Sequence, residues 1–180
     1  MKTRLAVLIT IGFLSAASAF AQHNEGQHEE ASHNPPRANQ GHVPPPPPAR
    51  TNPRAKPETE HVDAKRSNNT PHVNNDHWYG HDAPNDARYK LAKPFEHGHF
   101  DHVGASYRYS IIKIDRDHHR FWFPGGFYFE VAAWDWPICV GWCWDCADDF
   151  VIYEDPDHPG WYLLYNVQTG VYVHVQYMGS

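Results

Sequence analysis

Hydrophobic and polar residues alternate with a period of two through much of the C-terminal half of this chain. Residues 106–115 (SYRYSIIKID) set Tyr107, Tyr109 and Ile111 on one face and Arg108, Ser110 and Ile112 on the other, as a strand does. Residues 120–131 read as a hairpin, with Pro124-Gly125-Gly126 supplying a turn that bulky residues could not make. Residues 150–155 (FVIYED) predict a further strand, followed by a solvated turn at 156–160 (PDHPG). Residues 161–167 and 171–179 predict a second hairpin. In its second arm Val171, Val173, Val175 and Tyr177 share one face; Tyr172, His174, Gln176 and Met178 share the other, which makes His174 a surface residue. No helical period longer than about two turns occurs outside the first stretch of the chain. The fold class expected is all-β: a small antiparallel meander sheet of about five strands, or a partly open barrel, preceded by a long disordered arm.

The chain divides by composition into three parts. Residues 1–21 resemble a signal peptide, with Lys2 and Arg4 ahead of an apolar run and a small-x-small site at Ala19-Phe20-Ala21. The run is short of the roughly 20 apolar residues a spanning helix needs. The expectation is a bacterial protein, periplasmic or secreted, with no membrane span after cleavage. Residues 22–94 are rich in Pro, Asn, Gln, Glu and His and poor in branched aliphatics. Such a segment buries too little apolar surface to offset its ordering entropy, so a disordered arm is expected. Within it Pro44 to Pro48 predict a short polyproline II rod acting as a spacer. Residues 95–180 hold 21 of the 26 aromatics and carry four basic against twelve acidic groups. That load suffices for one modest core. The negative field argues against nucleic acid as a partner.

The chemistry on offer is of three kinds. All three cysteines, Cys139, Cys143 and Cys146, fall in CVGWCWDC. In an oxidising compartment one internal disulfide with one thiol left over is expected. The leftover thiol would then allow a disulfide-linked homodimer, and thiolate binding of a soft metal stays open. Trp134, Trp136, Trp142 and Trp144 flank the cysteines. They either cover the open end of the sheet or form an aromatic surface for a glycan or peptide. The third kind is histidine, of which there are 15. Neutral imidazole is a common ligand for Zn, Ni, Co and Cu. The densest group is His97, His99, Asp101 and His102; His77 and His81 add a second pair. No nucleophile–base set, HExxH or phosphate-binding glycine loop occurs, and no enzymatic activity is expected.

The ending WYLLYNVQTGVYVHV (161–175), following a His-rich leader, resembles that of small exported bacterial proteins of the periplasmic nickel/cobalt-homeostasis type, and of uncharacterised His-rich secreted proteins. The resemblance covers about the last thirty residues. It implies a metal-related role and assigns no residue. The functional expectation is binding or buffering of a divalent transition metal in the cell envelope. The alternative is an envelope interaction module that holds a polysaccharide, a peptide or a second copy through exposed aromatics.

Overall fold

In the computed structural model residues 36–51, 69–146 and 149–180 are described. The leader and residues 22–35 lie outside the described residues, as does the stretch 52–68. The fold is all-β and antiparallel. Its strands are β1 (His72–Asn74), β2 (His77–Tyr79), β3 (Lys113–Asp115), β4 (Arg120–Trp122), β5 (Tyr128–Val131), β6 (Phe150–Glu154), β7 (Tyr162–Asn166) and β8 (Val171–Gly179). Among the described residues a four-residue α-helix, α1 (Trp136–Cys139), follows β5, and two short 3-10 turns lie at Ala38–Gly41 and Ala87–Tyr89.

β8 is the hub of the sheet. One of its edges pairs with β7, which in turn pairs with β6. It also pairs with β5, which leads on to β4 and β3, and with β1, which leads on to β2. The sheet is open. A single bridge between Tyr109 and Phe150 ties the chain entering β3 back to β6, which is where the long strand read over 106–115 is reduced to β3 and this one contact. The hairpin at 124–126 forms as the sequence predicts, with Gly125 and Gly126 at φ near +90°.

Period-two alternation sorts the strands onto two faces. Phe150, Ile152, Tyr162, Leu164, Val173 and Val175 face one core with Phe121, Phe123, Phe129, Trp142 and Trp144. Val151, Tyr153, Leu163, Tyr165 and Tyr172 face a second core with Val43, Val73 and Trp78. That second face was expected to be solvated. It is covered instead by residues 36–51 and 69–94, a stretch whose composition predicts a disordered arm. The packed unit is not confined to residues 95–180: among the described residues it takes in Ala38, Val43, Val73 and Trp78 as well. The reason is local: His72–Asn74 and His77–Tyr79 are a hairpin around Asn75 and Asp76, both at positive φ, as a two-residue turn demands. It brings Val73 and Trp78 onto the face of β8 where Tyr172 lies.

Candidate metal centre

Face parity places Asp155, the residue after β6, on the same side as Val151 and Tyr153. It also places His174 of β8 beside Tyr172, opposite Leu163 of β7. The β6–β7 connection folds back over this point. The Asp155 carboxylate accepts the backbone N–H of Asp157 at 2.9 Å and of His158 at 3.3 Å, a side-chain turn of the Asx kind. This turns the His158 ring inward. His81, just beyond β2, arrives from the covering segment. His81, Asp155, His158 and His174 are all buried, and one donor atom from each can be chosen so that all lie within 4.8 Å of one another.

The hydrogen bonds fix which atom each ring points inward. His174 Nδ1 lies 2.7 Å from Asp135 Oδ2, which also accepts the His174 backbone N–H. The Nδ1 proton is therefore spent on Asp135, and Nε2 faces Asp155 Oδ2 at 3.5 Å. His81 Nδ1 sits 3.3 Å from Asp157 Oδ2, leaving Nε2 at 3.2 Å from Asp155 Oδ1. His158 Nε2 donates to the Ala83 carbonyl at 2.9 Å, so its Nδ1 faces Asp155 Oδ2 at 2.7 Å. Neither His81 Nε2 nor His174 Nε2 has a hydrogen-bond partner, though both are buried. Three ring nitrogens thus converge on one carboxylate, while their opposite nitrogens are held by Asp135, Asp157 and a backbone carbonyl. Each inward nitrogen needs either a proton or a shared cation to face that charge.

Electrostatics agree with this geometry. Burial works against the charge of Asp155, but His158, His81 and His174 outweigh it and hold the carboxyl well below its usual range. Burial likewise opposes an imidazolium at His158, yet the hydrogen bond and charge of Asp155 raise its pKa. Tyr89 roofs the cluster. Its ring stacks on His158 at 4.2 Å and lies 4.3 Å from the His174 ring. Its hydroxyl donates to Asp82 and lies 3.2 Å from His174 Nδ1. Burial first, then the charge of Asp135, pushes that phenol far above its ordinary value.

The sequence named His81 but not its companions. His158 sits in the turn read as solvated, and His174, read as a surface residue, is 1 % exposed. Of the other sequence-named donors, His77, His97, His99, Asp101 and His102 are exposed. Among the described residues they are not gathered into a group of three or more donors. His99 stacks on Phe95 at 3.8 Å instead.

The cysteine segment also resolves. Cys143 and Cys146 form a disulfide, with Cα atoms 5.3 Å apart across the turn that follows α1. Their thiols are therefore not free as soft-metal ligands. The remaining thiol, Cys139, is 0 % exposed; it leaves no surface thiol for a disulfide-linked dimer. Trp142 and Trp144 are buried in the main core, and the Trp144 indole N–H donates to the Cys139 carbonyl at 2.9 Å. Trp136 is half-buried. Trp134, at 36 % exposure, gives its indole N–H to the Tyr89 hydroxyl. The four tryptophans therefore do not form one exposed platform. Among the described residues no helix is long and apolar enough to cross a membrane.

Fold and site together define a class: an open antiparallel β domain with a buried cluster of three histidines and one aspartate on its covered face. Comparison with known proteins finds no matching family model, no similar curated protein and no similar solved structure.

Proposed function

We propose that this protein binds one divalent transition-metal ion through His81 Nε2, His158 Nδ1, His174 Nε2 and an oxygen of Asp155. The observation that carries this reading is the pair of buried, unpartnered Nε2 atoms of His81 and His174 aimed at the Asp155 carboxylate. A tetrahedral ion with bonds of 2.0–2.1 Å spaces its ligand atoms about 3.3 Å apart. His81 Nε2 lies 3.2 Å from Asp155 Oδ1 and His174 Nε2 3.5 Å from Oδ2, close to that spacing; His158 Nδ1, at 2.7 Å from Oδ2, moves outward to admit the ion. Asp135 and Asp157 then act as the outer carboxylates that orient ligating imidazoles and raise their basicity. Four protein donors close a tetrahedral shell, which is the pattern of a site that holds metal and does not turn over a substrate. Three imidazoles and a carboxylate, without thiolate, suit Zn(II) and Co(II) best, with Ni(II) and Cu(II) as competitors. If residues 1–21 act as an export leader, the ion is held in the periplasm or outside the cell.

Calorimetric titration of the chelator-treated protein with Zn, Co, Ni and Cu salts tests this. The expected result is one tight site per chain, lost in His81→Ala and His174→Ala and kept in the triple variant His97→Ala/His99→Ala/His102→Ala. X-ray absorption of the loaded protein should show only nitrogen and oxygen neighbours. Binding that survives the first two variants, or disappears in the triple variant, would move the site elsewhere.

A further inference from the structure

A second recognition site lies on the same face of the sheet; it adjoins the histidine cluster, with which it shares Asp157. Residues 43–48 (VPPPPP) run without regular secondary structure against Tyr153 of β6 and Trp78 of β2. Proline fixes φ near −65° and forces the residue before it to be extended, so the run is a polyproline II rod with three residues per turn. Its burial has that period. Pro44 and Pro47 are buried, while Pro45, Pro46 and Pro48 are exposed. One edge of the rod faces the protein.

What that edge meets is aromatic. Trp78 and Tyr153 pack nearly perpendicular, with ring centroids 5.1 Å apart, and Tyr172 closes on Trp78 at 4.8 Å. A polyproline rod has no internal hydrogen bonds, so its carbonyls are free to accept. The Tyr153 hydroxyl donates to the Pro44 carbonyl at 2.6 Å and the Trp78 indole N–H to the Pro45 carbonyl at 3.0 Å. The edge continues to Arg50, three residues beyond Pro47. There the backbone N–H donates to Asp157 at 3.0 Å, and the guanidinium Nε lies 3.5 Å from the same carboxylate. Pro44, Pro47 and Arg50 therefore read as P-x-x-P-x-x-R along one edge. Two aromatic donors and an acid receive it. Apolar aromatic grooves that take carbonyl hydrogen bonds from indole or phenol groups are a recurring solution for reading proline-rich segments.

We infer that the face shared by β2, β6 and β8 carries a polyproline-II recognition groove formed by Trp78, Tyr153, Tyr172 and Asp157, selective for P-x-x-P-x-x-R segments and filled by the chain's own residues 44–50. The segment is an intramolecular ligand. A tethered ligand of this kind competes at an effective concentration near the millimolar range, so an added peptide meets a groove already occupied.

The probe is a synthetic peptide of residues 41–51. It is titrated into the full chain and into the full-chain variant Pro44→Ala/Pro47→Ala/Arg50→Ala, following Trp fluorescence. The expected result is at least tenfold tighter binding to the variant, reduced about fivefold when Trp78→Phe is added to it, since the ring stays but the N–H donor goes. A folded variant that does not bind, or binds no better than the unaltered chain, overturns the inference. So does binding indifferent to Trp78→Phe. If the triple variant does not fold, two single substitutions in the otherwise intact chain decide. Pro47→Ala must lower the melting temperature and Pro46→Ala must leave it unchanged; equal effects would remove the one-edge register on which the groove rests.

Discussion

Replacing Asp155 by Asn leaves the shape of the site almost unaltered and removes its only inward charge. The side-chain amide oxygen can still accept the two backbone N–H groups of Asp157 and His158. The amide nitrogen then takes the place of Oδ2, which lies 2.7 Å from His158 Nδ1 and 3.5 Å from His174 Nε2. The charge-assisted bond to His158 is worth about 1.5–3 kcal/mol. Leaving the other two buried imidazoles without their counter-charge brings the total to roughly 3–5 kcal/mol, the usual cost of breaking a buried ionic contact from one side. The Asp155 side chain is fully buried, so solvent screening does not soften this. At roughly 3 °C per kcal/mol for a unit of this size, the melting temperature should fall by about 10–15 °C at pH 7. Urea unfolding of chelator-treated protein measures the loss directly. The stabilisation from Asp155 is present above the unfolded carboxylate pKa of about 3.9 and is lost as pH falls through its depressed folded value. The gap between wild type and Asp155→Asn should therefore narrow towards strongly acidic pH. Zinc should raise the melting temperature of the wild type and leave the variant unmoved. A variant within about 1 kcal/mol of wild type at pH 7 would refute the reasoning, because a carboxylate facing three buried imidazoles cannot be that cheap to neutralise.

Three further outcomes are expected. Ion binding should weaken steeply as pH drops from about 8 to 5, because the inward imidazole nitrogens must be deprotonated to coordinate; a pH-independent zinc affinity would contradict the histidine ligand set. Burial first, then the charge of Asp135, pushes the Cys139 thiol far above its ordinary value, so raising the pH from 7 to 9 should not accelerate its alkylation in the native protein. In denaturant one thiol should react, and after reduction three; mass spectrometry counts both. Gly160→Ala should destabilise by about 2–3 kcal/mol. Its φ is +89°, and an added Cβ would sit 2.9 Å from both the Leu91 side chain and the Pro94 backbone; an unchanged urea midpoint would mean that the covering segment gives way freely.

The strands that pair with near neighbours in sequence were legible, because alternation and turn residues are local signals. β6, β7, β8 and the β4–β5 hairpin fall close to where the pattern puts them. β1 and β2 were not read, although His72–Asn74 and His77–Tyr79 alternate around an Asn-Asp turn. The composition of residues 22–94, averaged as a block, hides a short hairpin whose only buried apolar side chains are Val73 and Trp78. The same averaging exposed the second face of the sheet on paper. Alternation sorts His174 to that face, but by itself it puts solvent where residues 36–51 and 69–94 lie. Histidine spacing pointed to His97, His99 and His102 because spacing registers only neighbours along the chain. His81 and His174 meet because β1 and β8 pair, and no sequence interval encodes that.

The position of β8 makes it the keystone of the fold. β1, β5 and β7 all dock on it, while the β1–β2, β4–β5 and β6–β7 pairings close without it. A chain cut before residue 171 therefore keeps its hairpins and loses the strand that joins them. Such a chain should be digested faster than the intact one at the edges of β1, β5 and β7.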